Sequence, residues 1–361
     1  MSKNSHPVPL RVGLIGYGFA GKTFHAPLIQ TTPGLDLRVV ASSSAEKVHA
    51  DRRDVAVVDE PSQLIARRDV DLVVIASPNA THAPLASEAL RAGKHVVIDK
   101  PFTLDLAEAR DLIQLADQCD RLLSVFQNRR WDSDFLGVQD VIFRQGLIGR
   151  VTQFESHIDR YRPEVRARWR EQRGAGAGLW YDLGPHLVDQ ALQLFGLPQW
   201  VSAHLAIQRR AGEVDDWAHV RLDYGALQVL LHASMLVAGG TARFTAHGER
   251  GSLVKPLPDQ QEAQLRAGVE PGAPGWGTDS DPLIFYRDGH PAQQIPVAAG
   301  DYRHYYAGIR DAIAGNATNP VPALQALGVM AVLEAAMVSS RDGRTIEPAL
   351  SNEEYAAWSG R

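Results

Sequence analysis

The residue pattern predicts an α/β protein with two parts: a doubly wound parallel sheet, then an α+β domain on a large, mostly antiparallel open sheet. Three observations carry this. Up to residue 127, short β-branched runs alternate with helical patterns, as in a parallel sheet covered on both faces. After residue 132 the runs lengthen and alternate in polarity, as antiparallel strands do. The first run also ends directly in a glycine-rich turn, and ligands of open α/β sheets sit outside the carboxyl ends of the strands.

In chain order, the runs 11–15, 37–41, 55–58, 72–76, 95–98 and 122–126 predict six parallel strands. The segments that follow them, 16–21, 42–44, 77–79, 99–101 and 127–130, are therefore expected at the crevice. Pro27 falls inside the first expected helix and predicts a kink. The run 109–120 predicts a helix with Cys119 buried near its end. A further helix reaches residue 145. Antiparallel strands are expected at 151–159, 219–223, 228–235 and 242–247, and helices at 179–195, 302–314 and 323–339. Residues 259–281, rich in Gly, Pro and acidic residues, predict a surface excursion. The expected domains are 8–130 and 131–348, with a C-terminal tail at 349–361.

The 361 residues suffice for two domains with substantial cores, and 45% hydrophobic with 22% charged residues is ordinary for a globular chain. A formal net charge of −5 argues against nucleic acid or an anionic membrane as the main partner, so small molecules are the expected ligands. The lone Cys119 excludes an intramolecular disulfide and a cysteine-rich metal site. Residues 1–7 lack an apolar signal core, and no apolar segment is expected to reach membrane-spanning length. A cytoplasmic protein is expected.

The glycine turn fits two phosphate-binding patterns. Gly16, Gly18 and Gly21, with Tyr17, Phe19 and Ala20 between them, spell GxGxxG; residues 16–23 also spell GxxxxGK[ST]. The run ending in Asp99 resembles the magnesium-holding strand beside a nucleotide hydrolase loop. The dinucleotide reading is preferred, because Gly16 follows its strand at once, Gly18 admits a pyrophosphate and Gly21 lets the next helix pack. Lys100 then projects to where a nicotinamide ring lies and can hydrogen-bond a substrate hydroxyl; its bland alternative is a solvated lysine paired with Asp99. Asp182 and His186, four residues apart, share a helix face. They suit a general base with its orienting carboxylate, or else an N-cap aspartate and a core histidine. With no third ligand evident, a metal is not expected. After the second strand come Ser42, Ser43 and Ser44 in place of the acidic residue of NAD-selective sites, and Lys47 lies one turn on. NADP is the expected cofactor, with NAD as the alternative.

GYGFAG at 16–21, SPNATH at 77–82, DKP at 99–101 and DLGPH at 182–186 together resemble the Gfo/Idh/MocA family of sugar and inositol oxidoreductases, over about residues 10–348. Within it, SVFQNRRWD at 124–132, DRYRPEV at 159–165 and RWRE at 168–171 look most like NADP-dependent scyllo-inositol dehydrogenases. The resemblance implies a Rossmann domain, then an α/β domain whose open sheet commonly serves as an oligomer interface, hence a homodimer or homotetramer. It implies Lys100, Asp182 and His186 as the catalytic set, and Ser77, Pro78, Asn79 and His82 along the nicotinamide ribose; a solvent-facing helix-start histidine is the alternative for His82. Asn128, Arg129, Tyr161, Arg162, Trp169 and Tyr305 are the expected contacts to a polyol or sugar substrate. Several of these arginines have Asp132, Glu164 or Glu171 as alternative partners. The resembling dehydrogenases carry an arginine where this chain has Ser43, so a modest NADP preference is expected. A redox-neutral NAD-dependent glycosidase keeps the same glycines and lysine. From another class, a non-catalytic NADP-responsive binding protein stands as the alternative.

Overall fold

The computed structural model describes residues 9–359. The expectation for residues 1–7, the domain start at residue 8 and the last two residues of the tail lie outside the described residues. The first sheet is formed by β1 (Leu10–Ile15), β2 (Leu35–Ala41), β3 (Ala56–Val58), β4 (Leu72–Ile75), β5 (His95–Ile98) and β6 (Leu123–Val125), all parallel, in the order β3-β2-β1-β4-β5-β6. Helices α1 (Ala26–Thr31), α2 (Ala45–Asp51), α3 (Pro61–Ile65), α4 (His82–Arg91) and α5 (Leu106–Gln118) connect its strands. β1 and β4 are adjacent although they are not consecutive in the chain, which opens the crevice where strand order reverses.

Two local expectations are corrected. Pro27 kinks no continuous helix: a π turn, Gly21–His25, precedes α1 and places Pro27 in its first turn, where a missing N–H costs little. Cys119 is the C-cap of α5 and half-buried, because the helix ends at Gln118 and Asp120 turns the chain away at a φ of 50°.

The second sheet has eight strands: β7 (Val151–Asp159), β8 (Trp200–Ala206), β9 (Trp217–Asp223), β10 (Gln228–Ser234), β11 (Phe244–Gly248), β12 (Gly251–Lys255), β13 (Leu283–Tyr286) and β14 (Gln293–Ile295). Their order is β14-β13-β12-β11-β7-β10-β9-β8. The pairing is antiparallel except between β7 and β10, which corrects the antiparallel expectation for 151–159 and 228–235. A long crossover through α7 (Leu179–Phe195), β8 and β9 brings the chain back in the same direction. Val229, Leu231 and Ala233 of β10 and Ala218, Val220 and Leu222 of β9 are buried on one face. The opposite face carries Trp217, His219, Leu230 and His232, half-buried or exposed.

The remaining helices are α6 (Ser133–Gln139), α8 (Gln261–Arg266), α9 (Arg303–Ile313), α10 (Ala323–Asp342) and α11 (Asn352–Ser359). Residues 259–281 are not a surface excursion: Asp259, Gln261 and Trp276 are buried. Asp259 accepts from the Ser133 N–H at 2.8 Å, its own N–H donates to Asp134 at 3.0 Å, and Trp276 Nε1 donates to Asp301 at 3.1 Å. The acidic residues that suggested solvent instead satisfy buried donors. The 20-residue α10 is, by length and composition, apolar enough to cross a membrane, which corrects the expectation that no segment reaches that length. Two-thirds of it is buried in the protein, where it packs on α5, α7, β6 and β8. α9 likewise returns to α1, and Ser124 of β6 donates to the Val321 carbonyl at 2.9 Å. α11 is held by the Arg110–Glu354 ion pair at 2.7 Å and by Tyr355, whose hydroxyl donates to the Pro198 carbonyl at 2.8 Å.

Candidate active site

The glycine turn between β1 and α1 is shaped by close approach. Gly16 has a φ of +94°, and a Cβ there would lie 2.7 Å from the Ala76 carbonyl oxygen. A Cβ on Gly21 would lie 2.1 Å from the Gly16 oxygen. Gly18, by contrast, has nothing within 4 Å of such an atom, so the open side of the turn is free for a ligand. Lys22 pairs with Asp51 at 2.8 Å. Asp99 is buried 3.7 Å from His25, with its Oδ1 accepting from the Lys100 N–H at 2.8 Å. Neither residue is placed for a nucleotide hydrolase.

At the end of β2, Ser42 Oγ accepts from the Ser44 N–H at 3.2 Å, and Ser44 caps α2 by accepting from the Lys47 N–H. Ser43 and Lys47 are exposed. Arg52, which sequence reading missed, follows α2 and acts electrostatically on Tyr17; its Nε is buried without a hydrogen-bond partner. After β4, Ser77 and Thr81 share a hydrogen bond of 2.6 Å, and Asn79 Nδ2 donates to the Gly176 carbonyl at 3.1 Å, joining the first domain to the second.

His82 is corrected both as a cofactor contact and as a solvent-facing residue. It is 1% exposed, with its ring nitrogens 2.9 Å from the Pro101 oxygen and 3.1 Å from the Ser77 oxygen. It clamps the loops after β4 and β5 to each other. Burial lowers its pKa from the ordinary value.

A cavity of about 420 Å³ lies between the domains. Phe19 and Ala20 of the glycine turn border it, as do Lys100, Asn128, Arg129, Arg162, Asp182 and His186. Three expected substrate contacts are not there. Tyr305 is fully buried, edge-on to Phe126 and Trp131, with its hydroxyl donating to Ser124 Oγ at 3.0 Å. Tyr161 is 61% exposed and points away, because neighbouring residues of an extended segment face opposite sides. Trp169 is 36% exposed and stacks under Arg170, whose guanidinium lies 4.4 Å from its ring centroid.

The expected catalytic trio converges in the cavity. Lys100 Nζ donates to Asp182 Oδ1 at 3.1 Å and to the Asp182 carbonyl at 2.7 Å. Asp182 is not the N-cap of α7: the helix starts at Leu179 after Gly178, whose φ is 101°. Asp215 serves that end, accepting from the Trp180 N–H at 2.7 Å. Asp182 and His186 then fall one turn apart. Burial opposes the Asp182 charge, but Lys100, Arg160 and Arg170 outweigh it and hold the carboxyl well below the usual range. Burial first, then the charges of Lys100, Arg129 and Arg243, push the His186 imidazole well below its ordinary value. Its Nδ1 is buried without a hydrogen-bond partner. Asp182 is thus an ionised carboxylate held by Lys100, and His186 a neutral imidazole one turn further along α7, a proton acceptor on the same cavity.

Sequence reading missed Arg160, Arg166, Arg168, Arg170, Glu262 and Arg266, all at the cavity. The run of arginines from 160 to 170 was the available signal for four of them. Glu262 and Arg266, at i and i+4 on α8, lay in the supposed excursion and carried none. Among the described residues, one group of ligating side chains lies close enough to share an ion: His157, Asp159 and His232, on β7 and β10 and outside the cavity lining.

Two family descriptions match the chain: "Oxidoreductase family, NAD-binding Rossmann fold" over residues 10–127 and "Oxidoreductase family, C-terminal alpha/beta domain" over residues 143–347. An uncharacterized oxidoreductase of Escherichia coli K12, YdgJ, is 49% identical over 93% of this chain and 98% of its own length. The scyllo-inositol 2-dehydrogenase (NADP(+)) IolW of Bacillus subtilis is 38% identical over 93% and 95%. Among solved structures, a putative oxidoreductase from Klebsiella pneumoniae superimposes with a TM-score of 0.93 at 56% identity, covering 98% of this chain and 99% of that one.

Proposed function

Because the chain belongs to the Gfo/Idh/MocA oxidoreductase family, we propose that it is an NADP-dependent dehydrogenase acting on a secondary alcohol of a cyclic polyol or sugar, with scyllo-inositol and its inosose as the first candidate pair. The observation that carries this reading is the convergence of Lys100, Asp182 and His186 on a cavity that the glycine turn also borders. The turn suits a dinucleotide: side chains are shut out at Gly16 and Gly21, and the approach to Gly18 is open. When bound there, the nicotinamide supplies the hydride acceptor. Neutral His186 takes the hydroxyl proton, Lys100 donates a hydrogen bond to the alcohol oxygen, and Asp182 orients Lys100 and offsets its charge.

For NADP over NAD, the support is the absence of a carboxylate at 42–44 and the nearby Ser43, Lys47 and Arg52. The Bacillus relative is itself named an NADP(+) enzyme. The proposal extends to a cytoplasmic homodimer or homotetramer, assembled through the sheet face that carries Trp217, His219, Leu230 and His232.

Absorbance of reduced cofactor, with NADP and NAD in parallel over scyllo-inositol, myo-inositol, glucose and xylose, tests the function. Turnover with NADP and a cyclic polyol is expected. Tight NADP binding without net turnover, but with sugar released from a glycoside, would favour the redox-neutral glycosidase. Binding with neither would favour a non-catalytic binding protein.

A further inference from the structure

The cavity holds more positive charge than a neutral polyol needs. Lys100 and seven arginines border it, against the carboxylates of Asp99, Asp182 and Glu262, in a chain whose formal net charge is −5. Those carboxylates are committed: Asp182 lies 3.1 Å from Lys100 and 3.5 Å from Arg170, Glu262 lies 2.6 Å from Arg129, and Asp99 is buried beside His25. Among the described residues, Arg162, Arg166 and Arg266 form no ion pair.

The segment that presents two of them is held from behind. The Arg160 N–H donates to the Ser234 carbonyl at 2.8 Å and the Arg162 N–H to the Met235 carbonyl at 2.7 Å. Buried Glu171 accepts from the Arg166 N–H at 2.9 Å, from Arg168 Nε at 2.6 Å and from Arg209 Nη1 at 2.9 Å. Arg209 is also paired with Asp216 at 2.9 Å and reaches the carbonyls of Arg162 and Glu164 at 3.4 and 3.3 Å. Glu171 is therefore spent on the far side of this segment. Burial, together with the charges of Arg160, Arg166, Arg168 and Arg266, pushes Arg162 down to about 10. An anion in the cavity would relieve that crowding, and guanidinium forks match planar and tetrahedral oxyanions.

We propose that Arg162, Arg166 and Arg266 form an oxyanion subsite beside the hydride-transfer centre, so that among sugars and cyclitols those bearing a carboxylate, sulfonate or phosphate group are preferred over neutral ones such as scyllo-inositol. This rests on the dehydrogenase reading for the position of the reacting carbon. The pyrophosphate of the cofactor offers the same chemistry, since Phe19 and Ala20 border the same cavity, and the test separates the two sources.

On enzyme loaded with NADP, titration calorimetry compares glucose with glucuronate and myo-inositol with a myo-inositol monophosphate. The charged member of at least one pair is expected to bind tenfold or more tightly, with an advantage that shrinks as salt rises. Arg162→Gln and Arg266→Gln should each remove most of that advantage while NADP affinity stays within twofold. Arg266 is exposed, so its variant tests the subsite even if Arg162→Gln is poorly folded. Equal binding within both pairs overturns the proposal. So does a parallel fall in NADP affinity in the variants, which would assign the arginines to the cofactor phosphates. Tight binding of a charged member with no reduced cofactor from any polyol would support the subsite and overturn the dehydrogenase reading instead.

Discussion

His186 is where burial and charge most directly become chemistry. His186→Ala is expected to lower kcat by about 100-fold or more, the usual worth of a positioned base, with NADP affinity little changed; single-turnover kinetics and cofactor titration check both. Because burial and its cationic neighbours depress its pKa below 6.5, the acid limb of kcat/KM should lie below that pH. The sign for stability is the same: below pH 6.5 the unfolded chain takes up the proton before the folded one, so stability falls as pH falls. Urea titrations at pH 5 and pH 7 should show a smaller difference for His186→Gln than for the native chain. Tyr305→Phe should cost about 1 kcal/mol through loss of its buried hydrogen bond and leave KM unchanged, where a substrate contact would raise it. Lys100, Asp182 and His186 were legible as candidates because local motifs and a spacing of four bring them out. Glu262 was not, since its contact with Arg129 spans 133 residues and no local pattern announces it. His82 was misread for the same reason: its partner, the Pro101 carbonyl, lies on another loop.

Elements differ in how plainly they declare themselves. The strands of the first sheet are short apolar, β-branched runs, buried except for the edge strand β3, so the sequence shows them with small errors at their ends. β13 and β14 are four and three residues long, and Gln293 and Gln294 make β14 polar, so the pairing of β13 with β12 and of β14 with β13 has no periodic signal. The glycine turn was legible because its steric demands are local. Gly21→Ala, which drives a Cβ against the Gly16 carbonyl, should weaken NADP binding at least tenfold, read by fluorescence titration. The arginine segment depends on a buried Glu171–Arg209–Asp216 cluster. Arg209→Met, which leaves buried Asp216 without its cation and Glu171 with Arg168 alone, should cost about 3 kcal/mol in denaturant unfolding and lower kcat/KM as the segment loosens.

At the scale of the whole molecule, the two sequence domains share their packing. α9 and α10, from the second half of the chain, lie on α1, α5 and β6 of the first. Thermal unfolding should therefore be a single transition, which NADP at 100 times its Kd moves upward by the equivalent of about 2.7 kcal/mol. Scanning calorimetry checks this; two transitions with only one responding to NADP would show that the halves melt independently.

The late position of α10 also matters during synthesis. About 210 residues separate Arg130 from Asp342, and at roughly 5–20 residues per second the ribosome takes on the order of 10–40 s to make them. Throughout that interval the nascent first domain shows the apolar surface of α5 and β6 that α10 will cover, leaving a sticky intermediate. A chain released before residue 342 keeps that surface bare. Truncations that spare every cavity residue but remove α10 are thus expected to fail by aggregation, before any question of chemistry arises.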